Sequence, residues 1–306
     1  SGISVVCFAA SYAVALGLEI TRLFVQLRIR WLLIIGFSVA GLVAHSVHLL
    51  AHARSEIESS RGVLLSNWYD WCLLVAWILV AAYLGLAIRR PRNTVGLFLL
   101  PLALALIGLA RLVREIPSFP REQAINSWAM IHGLLLLLGT VTAALGFAAG
   151  VMYLLQSYRL KHKLPPRPGF RLPSLEWLHR FNRRTLLIST ALVAMGLAAG
   201  MVVNAVRNGG THEAMTWRDP IVLTSLLVFV WLAAVSVFEG LYRPAREGRR
   251  VAWMTLFSFV FLAMVLSLVL LGQHGISRSR PASERGGTSP ADRSGEPVAG
   301  VGGNSR

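Results

Sequence analysis

The sequence predicts an all-α fold, a polytopic membrane helix bundle with about eight transmembrane helices. Three observations carry this. Of the 306 residues, 55% are hydrophobic and only 14% are charged, against about a quarter charged in ordinary soluble domains. The mean hydropathy is +0.60. The apolar residues fall into long blocks, each of about 20 residues, which is the length a helix needs to cross the hydrocarbon core.

The blocks predict spans at 2–20, 31–53, 68–88, 93–112, 128–157, 184–206, 220–242 and 252–273. The first opens the chain without a starting Met, which predicts a trimmed N-terminus. The fifth is the longest. At 1.5 Å per residue it reaches roughly 45 Å and is expected to project beyond the hydrocarbon. Gly146 and Gly150 in the fifth span form a GxxxG pair, as do Gly196 and Gly200 in the sixth. Such pairs let backbones approach closely and read here as packing. Together the spans predict one membrane domain over 1–276. The tail, 277–306, is rich in Gly, Ser, Pro and Arg; it has too little apolar surface to fold and is expected to be disordered.

A net charge of +16 raises the question of nucleic acid, but the arginines lie between apolar blocks, where membrane proteins keep cytoplasmic charge. No nucleic-acid partner is expected; the lipid bilayer is. The odd-numbered connections carry 18 Lys and Arg, and the second, fourth and sixth carry 7. This asymmetry predicts cytoplasmic odd connections and both termini outside; the membrane itself is expected to be a bacterial cytoplasmic (inner) one. In the fifth connection, Leu175, Leu178 and Phe181 recur at helical spacing after "LPPRPGF". There Ser174 is placed to cap a short amphipathic helix lying at the cytoplasmic interface.

The motifs of soluble enzymes are missing: no Walker loop, no Rossmann glycines, no GxSxG, no HExxH. Cys7 and Cys72 lie in apolar segments and form no CxxC pair, so neither a disulfide framework nor a thiolate metal site is expected. The chemistry rests on histidine. Six of eight, His45, His48, His52, His132, His212 and His274, fall in the outer half of the membrane or on its outer face by the predicted topology. His132 lies about one turn into the fifth span, and His274 ends the eighth in "LLGQHGIS". Two neutral imidazoles at one depth, from different helices, are what a bis-histidine haem iron requires. The plainer alternative is a pair of interfacial histidines with polar tips among the headgroups.

The loop between the sixth and seventh spans reads "NGGTHEAMTWRDPIV". Asp219 before Pro220 suits a helix start, Asp as N-cap and Pro at the first helical position. Trp217 suits an interfacial belt or a flat wall for a porphyrin. His45, His48 and His52 share one face of the second span. Ionisable groups at membrane depth are functional candidates by default, and His45, the deepest, is the best of the three. Glu239 and Arg243, four apart, read as a local ion pair.

Several stretches together resemble the cytochrome c assembly family of eight-span membrane proteins, CcsA and the related HemX. "LLSNWYDWCLLVAW" at 64–77 is similar to the segment that leads into the family's third span. "RNTVGLFLLPLALAL" is similar to the next, and "IHGLLLLLGTVTAALGFAAGVMYLLQ" to the fifth with its external histidine. "LHRFNRRTLLIS" and "LLGQHG" resemble the starts and ends that follow. The resemblance runs in order over nearly the whole chain up to the tail. It implies a bundle that holds haem b at the outer face, with His132 and His274 as the external ligand pair. It maps the family's tryptophan-rich loop onto 215–220, with Trp217 and Asp219 beside the haem; His45, from its depth in the second span and not from the resemblance, is expected as a further haem contact. It implies a role in c-type cytochrome maturation, with apocytochrome c and a CcsB-like membrane protein as partners, and membership of a haem lyase complex. The seventh span reads "AAVSVFEG" where CcsA proteins carry a histidine, which brings the chain nearer HemX-like regulators of haem synthesis. A small-solute transporter would need broken helices or polar residues near the midplane and repeat symmetry; neither is visible.

Overall fold

The computed structural model describes residues 5–24, 29–58, 67–89, 93–114, 127–165, 169–208 and 220–241, and six positions of the following segment, 252, 253, 256, 257, 259 and 260. Every element among them is a helix: α1 (Val5–Thr21), α2 (Arg30–Glu58), α3 (Trp68–Arg89), α4 (Gly96–Leu112), α5 (Ser127–Lys161), α6 (Leu175–Asn208) and α7 (Pro220–Leu241). Four are long and apolar enough to cross a membrane, namely α2, α3, α5 and α6, while α1 and α4 are shorter apolar helices. The six positions at 252–260 are also helical.

Stripes of buried residues decide how the first four helices meet. α1 buries Val5, Phe8, Tyr12, Ala15 and Glu19, a three-four spacing that keeps one seam turned to a partner. α2 buries Arg30, Ile34, Ser38, Gly41 and His45 along one line. At Gly41 the Tyr12 ring lies so close that a Cβ would sit 2.6 Å from it. α3 buries residues all round, from Tyr69 to Tyr83, and is the central helix. α1 packs on α2 and α4, and α3 on α2 and α4, which closes a ring of four. α5 leans on this ring through α3 and α4, α6 lies along α5, and α7 lies along α6.

α5 buries mainly small residues, among them Gly139, Ala144, Gly146, Ala148, Ala149 and Gly150, so its neighbours approach the backbone closely. Its 35 residues span roughly 52 Å at 1.5 Å per residue. It ends in a Schellman turn: Leu164 N donates to Arg159 O (3.0 Å) and Lys163 N to Leu160 O (3.1 Å). Lys163 takes the left-handed conformation, φ 49°, that this turn demands at the position usually given to glycine.

The connection from α5 to α6 is tied to the ring. Arg171 O accepts from both Thr94 N (3.0 Å) and Thr94 Oγ1 (3.1 Å). Gly169 rests on the Arg22 carbonyl, where no side chain would fit. Arg22 pairs with the buried Glu19 at 3.6 Å, and Tyr83 donates to Glu19 at 3.2 Å.

One expectation is corrected. The segment after Ser174 is not a separate interfacial helix. It is the first part of α6, which runs unbroken for 34 residues. Ser174 does cap it, accepting from Trp177 N at 3.4 Å. No Gly or Pro interrupts 175–195, and Leu178, fully buried, fastens the first turn to the core, so the hydrogen-bond ladder has no reason to break.

Candidate functional site

His132 lies in the second turn of α5 and is part-buried. Its Nδ1 is 2.6 Å from the carbonyl oxygen of Gly196 on α6. A carbonyl only accepts, so Nδ1 carries the proton and the lone pair is left on Nε2. The ring also lies flush against Gly200, where a Cβ would be 2.9 Å from both Cε1 and Nδ1. The GxxxG of the sixth span, read from sequence as packing alone, therefore receives the histidine. On the other side of the helix, Trp71 of α3 covers Gly133, where a Cβ would be 2.8 Å from the indole.

The GxxxG of α5 faces a different neighbour. A Cβ on Gly150 would lie 2.9 Å from Leu256 Cδ1 and 3.3 Å from Ala252 O. One turn away, the rings of Phe147 and Phe259 stack at 4.4 Å. The start of the eighth predicted span thus runs along α5, the helix that bears His132, in the opposite direction.

The three histidines of α2 form a separate group inside the ring of four. His45 is fully buried and stacks on Phe8 of α1 at 4.1 Å. Tyr12 OH and His45 Nδ1 are 3.3 Å apart, and Nε2 of His45 has no hydrogen-bond partner among the described residues. His48 Nε2 meets Tyr69 OH at 3.1 Å. His52 Nε2 meets Asp70 Oδ1 at 3.1 Å, and the Asp70 side chain is 9% exposed. Each histidine thus meets a polar or aromatic residue on α1 or α3. Tyr12, Tyr69 and Asp70 were not singled out from sequence, although an acid in the first turn of an apolar span was a visible signal. No group of three or more His, Cys, Asp or Glu among the described residues is arranged to hold a metal ion.

The structure does not bring His45 to His132, because among the described residues α2 packs on α1 and α3 and not on α5 or α6. Trp217, Asp219, His212 and His274 lie outside the described residues, as do Arg243 and the tail 277–306.

Comparison with known proteins accounts for the helices and the order of the motifs. The model of the cytochrome c assembly protein family matches residues 65–276. A cytochrome c biogenesis protein CcsA of Trieres chinensis is 31% identical over 97 residues, 30% of this chain and 31% of the relative. A CcsA of Guillardia theta is 24% identical over 217 residues, 64% of this chain and 69% of the relative. No solved structure matches the chain. Both relatives carry the biogenesis name, which lends no support to the HemX-like regulatory alternative. With its apolar helices the chain is an integral membrane protein with a role in c-type cytochrome maturation. It belongs to the cytochrome c assembly protein family.

Proposed function

We propose that this protein holds haem b at the outer face of a bacterial cytoplasmic membrane and presents it to apocytochrome c. In this reading eight spans form one bundle over residues 1–276, with both termini outside and a disordered tail at 277–306. His132 and His274 are the axial ligands. Trp217 and Asp219, from the connection that follows α6, flank the cofactor. A CcsB-like membrane protein completes the assembly as a partner. Bound haem supplies the vinyl groups to which cysteine thiols add, and the protein supplies position and electrostatic surroundings.

The observation that carries this reading is the register between α5 and the segment that follows α7. Phe147 faces Phe259, and Gly150 faces Leu256. Two antiparallel helices step apart in sequence at equal rates. Fifteen residues back from Phe147 is His132, and fifteen residues on from Phe259 is His274. A continuous eighth span in this register therefore ends with its histidine at the level of His132. The donor chemistry of the described half fits: His132 keeps its Nε2 lone pair and has its other nitrogen anchored on a backbone carbonyl, as metal-binding histidines do.

The test is the optical spectrum of the purified protein, oxidised and reduced. The expected spectrum is that of low-spin, bis-histidine haem. His132→Ala and His274→Ala should each give weakly held, five-coordinate haem, and added imidazole should partly restore the original bands. If the double variant keeps the wild-type spectrum, both residues leave the site, and the assignment passes to His45, whose buried Nε2 has no partner among the described residues, or to His212.

A further inference from the structure

We infer that the main-chain carbonyl at 196 and the open space at Gly200 form the seat that sets the tautomer and aim of His132, so that Gly200 is a positioning residue for the iron ligand, while Gly196 contributes only its main-chain carbonyl, which alanine also carries. The inference rests on the haem reading above. It adds residues that the ligand pair alone does not name.

The two glycines do different things. Gly196 contributes its carbonyl oxygen, 2.6 Å from Nδ1. That hydrogen bond holds the proton on Nδ1 and leaves Nε2 as the ligating nitrogen. A Cβ at this position would be 2.8 Å from Leu136 Cδ2, 3.2 Å from Leu136 Cγ and 3.6 Å from Leu135 Cβ. The Leu136 atoms belong to a flexible side chain and can turn aside, and the Leu135 distance is an ordinary van der Waals contact. Gly200 contributes empty space. A Cβ there would be 2.9 Å from Cε1 and from Nδ1 of His132, so the ring itself must move. Turning about its own side-chain bonds, it would lose the Gly196 carbonyl.

An ordinary GxxxG contact makes no such distinction. In a packing motif both glycines serve close backbone approach, and alanine at either weakens the helix pair in the same way. The seat predicts an asymmetry instead. Gly196→Ala keeps the carbonyl and the ring position. Gly200→Ala keeps the helix pair but shifts the ring.

The experiment reads the haem-free protein first. In nanodiscs with 15N-labelled histidine, the His132 signals are assigned by their loss in His132→Gln. The wild type should show a protonated Nδ1 and an unprotonated Nε2, and Gly196→Ala should match it. Gly200→Ala should lose that pattern, with the proton redistributed between the two nitrogens. The haem-loaded proteins are read next. Gly196→Ala should keep the low-spin spectrum. Gly200→Ala should lose low-spin character, and added imidazole should recover it in part. Gly196→Ala also serves as the folding control, since it alters the same helix face. An Nε2-protonated wild type would overturn the inference, as would equal effects of the two substitutions or an unshifted tautomer in Gly200→Ala. An unchanged haem spectrum in His132→Ala would instead remove the ligand role itself, and with it the purpose of the seat, whatever the nitrogen signals show.

Discussion

Gly150 offers a direct perturbation of the register on which the histidine pairing depends. A Cβ there would sit 2.9 Å from Leu256 Cδ1, 3.3 Å from Ala252 O and 3.9 Å from Ala252 Cα. The first atom can rotate away. The other two are backbone and can yield only by moving the helix. Gly150→Ala therefore asks for a few tenths of an ångström and is expected to be mild. Gly150→Leu places a branched side chain against that backbone. Overpacking of this kind costs about 1–3 kcal/mol, and helix pairs widen by up to roughly 2 Å between the closest and the bulkiest contacts. That widening is comparable with a metal–imidazole bond, about 2 Å. His132 lies 18 residues from Gly150, roughly 27 Å along the axis, so the splayed helix carries its far end out of reach. Gly150→Leu should keep haem on one histidine, in five-coordinate form, and melt at lower temperature. Gly108→Leu is the control, because nothing lies within 4 Å of a Cβ at that position. The measurement is the reduced spectrum alongside a thermal melt in one detergent. A low-spin spectrum in Gly150→Leu equal to wild type would refute the register reasoning.

Three further outcomes are expected. Tyr12→Phe removes the partner of His45 Nδ1 at a cost of about 0.6 kcal/mol, the average for interhelical bonds in membranes; a small drop in melting temperature with an unchanged haem spectrum checks it, and loss of haem would transfer function to the α2 histidines. Trp217→Ala should lower haem retention or c-type cytochrome yield with protein levels near normal, while Asp219→Ala should cost about 1 kcal/mol of stability for a lost cap; an immunoblot beside a haem stain separates the two, and absent Trp217→Ala protein would make that residue structural. Reporter fusions at Gly209 and at Pro166 should report the outer and the cytoplasmic side respectively, from the charge asymmetry of the connections; reversed sides would undo the common depth of His132 and His274.

Much of the fold was legible before any coordinates. Hydropathy blocks mark most ends of the described helices to within a few residues, the start of α6 excepted, because lipid leaves the backbone no alternative: every N–H and C=O must be satisfied within the segment. Thus α3 and α7 begin at Trp68 and Pro220, as the blocks predict. Boundaries in water obey weaker rules. Ser174 marks a helix start in sequence and in structure, but nothing in the composition said whether that helix would stop before the span. The buried Leu178 joined them. His132, too, stood out in the sequence, a titratable group at the mouth of an apolar helix.

The sequence by itself determined the class of protein, the helical segments and the candidate histidines, since each follows from local composition and period. Only the tertiary structure decided which of them belong together. It closed α1 to α4 into a ring that takes His45, His48 and His52 away from α5. It set the imidazole of His132 over Gly200 with its proton turned to Gly196, and laid Leu256 and Phe259 beside Gly150 and Phe147. The physical reason is that lipid tails are as apolar as leucine. Hydropathy therefore says that a helix is in the membrane but not which helix lies beside it. That choice falls to the fit of small residues and the few polar contacts between helices, and these exist only once the helices have met.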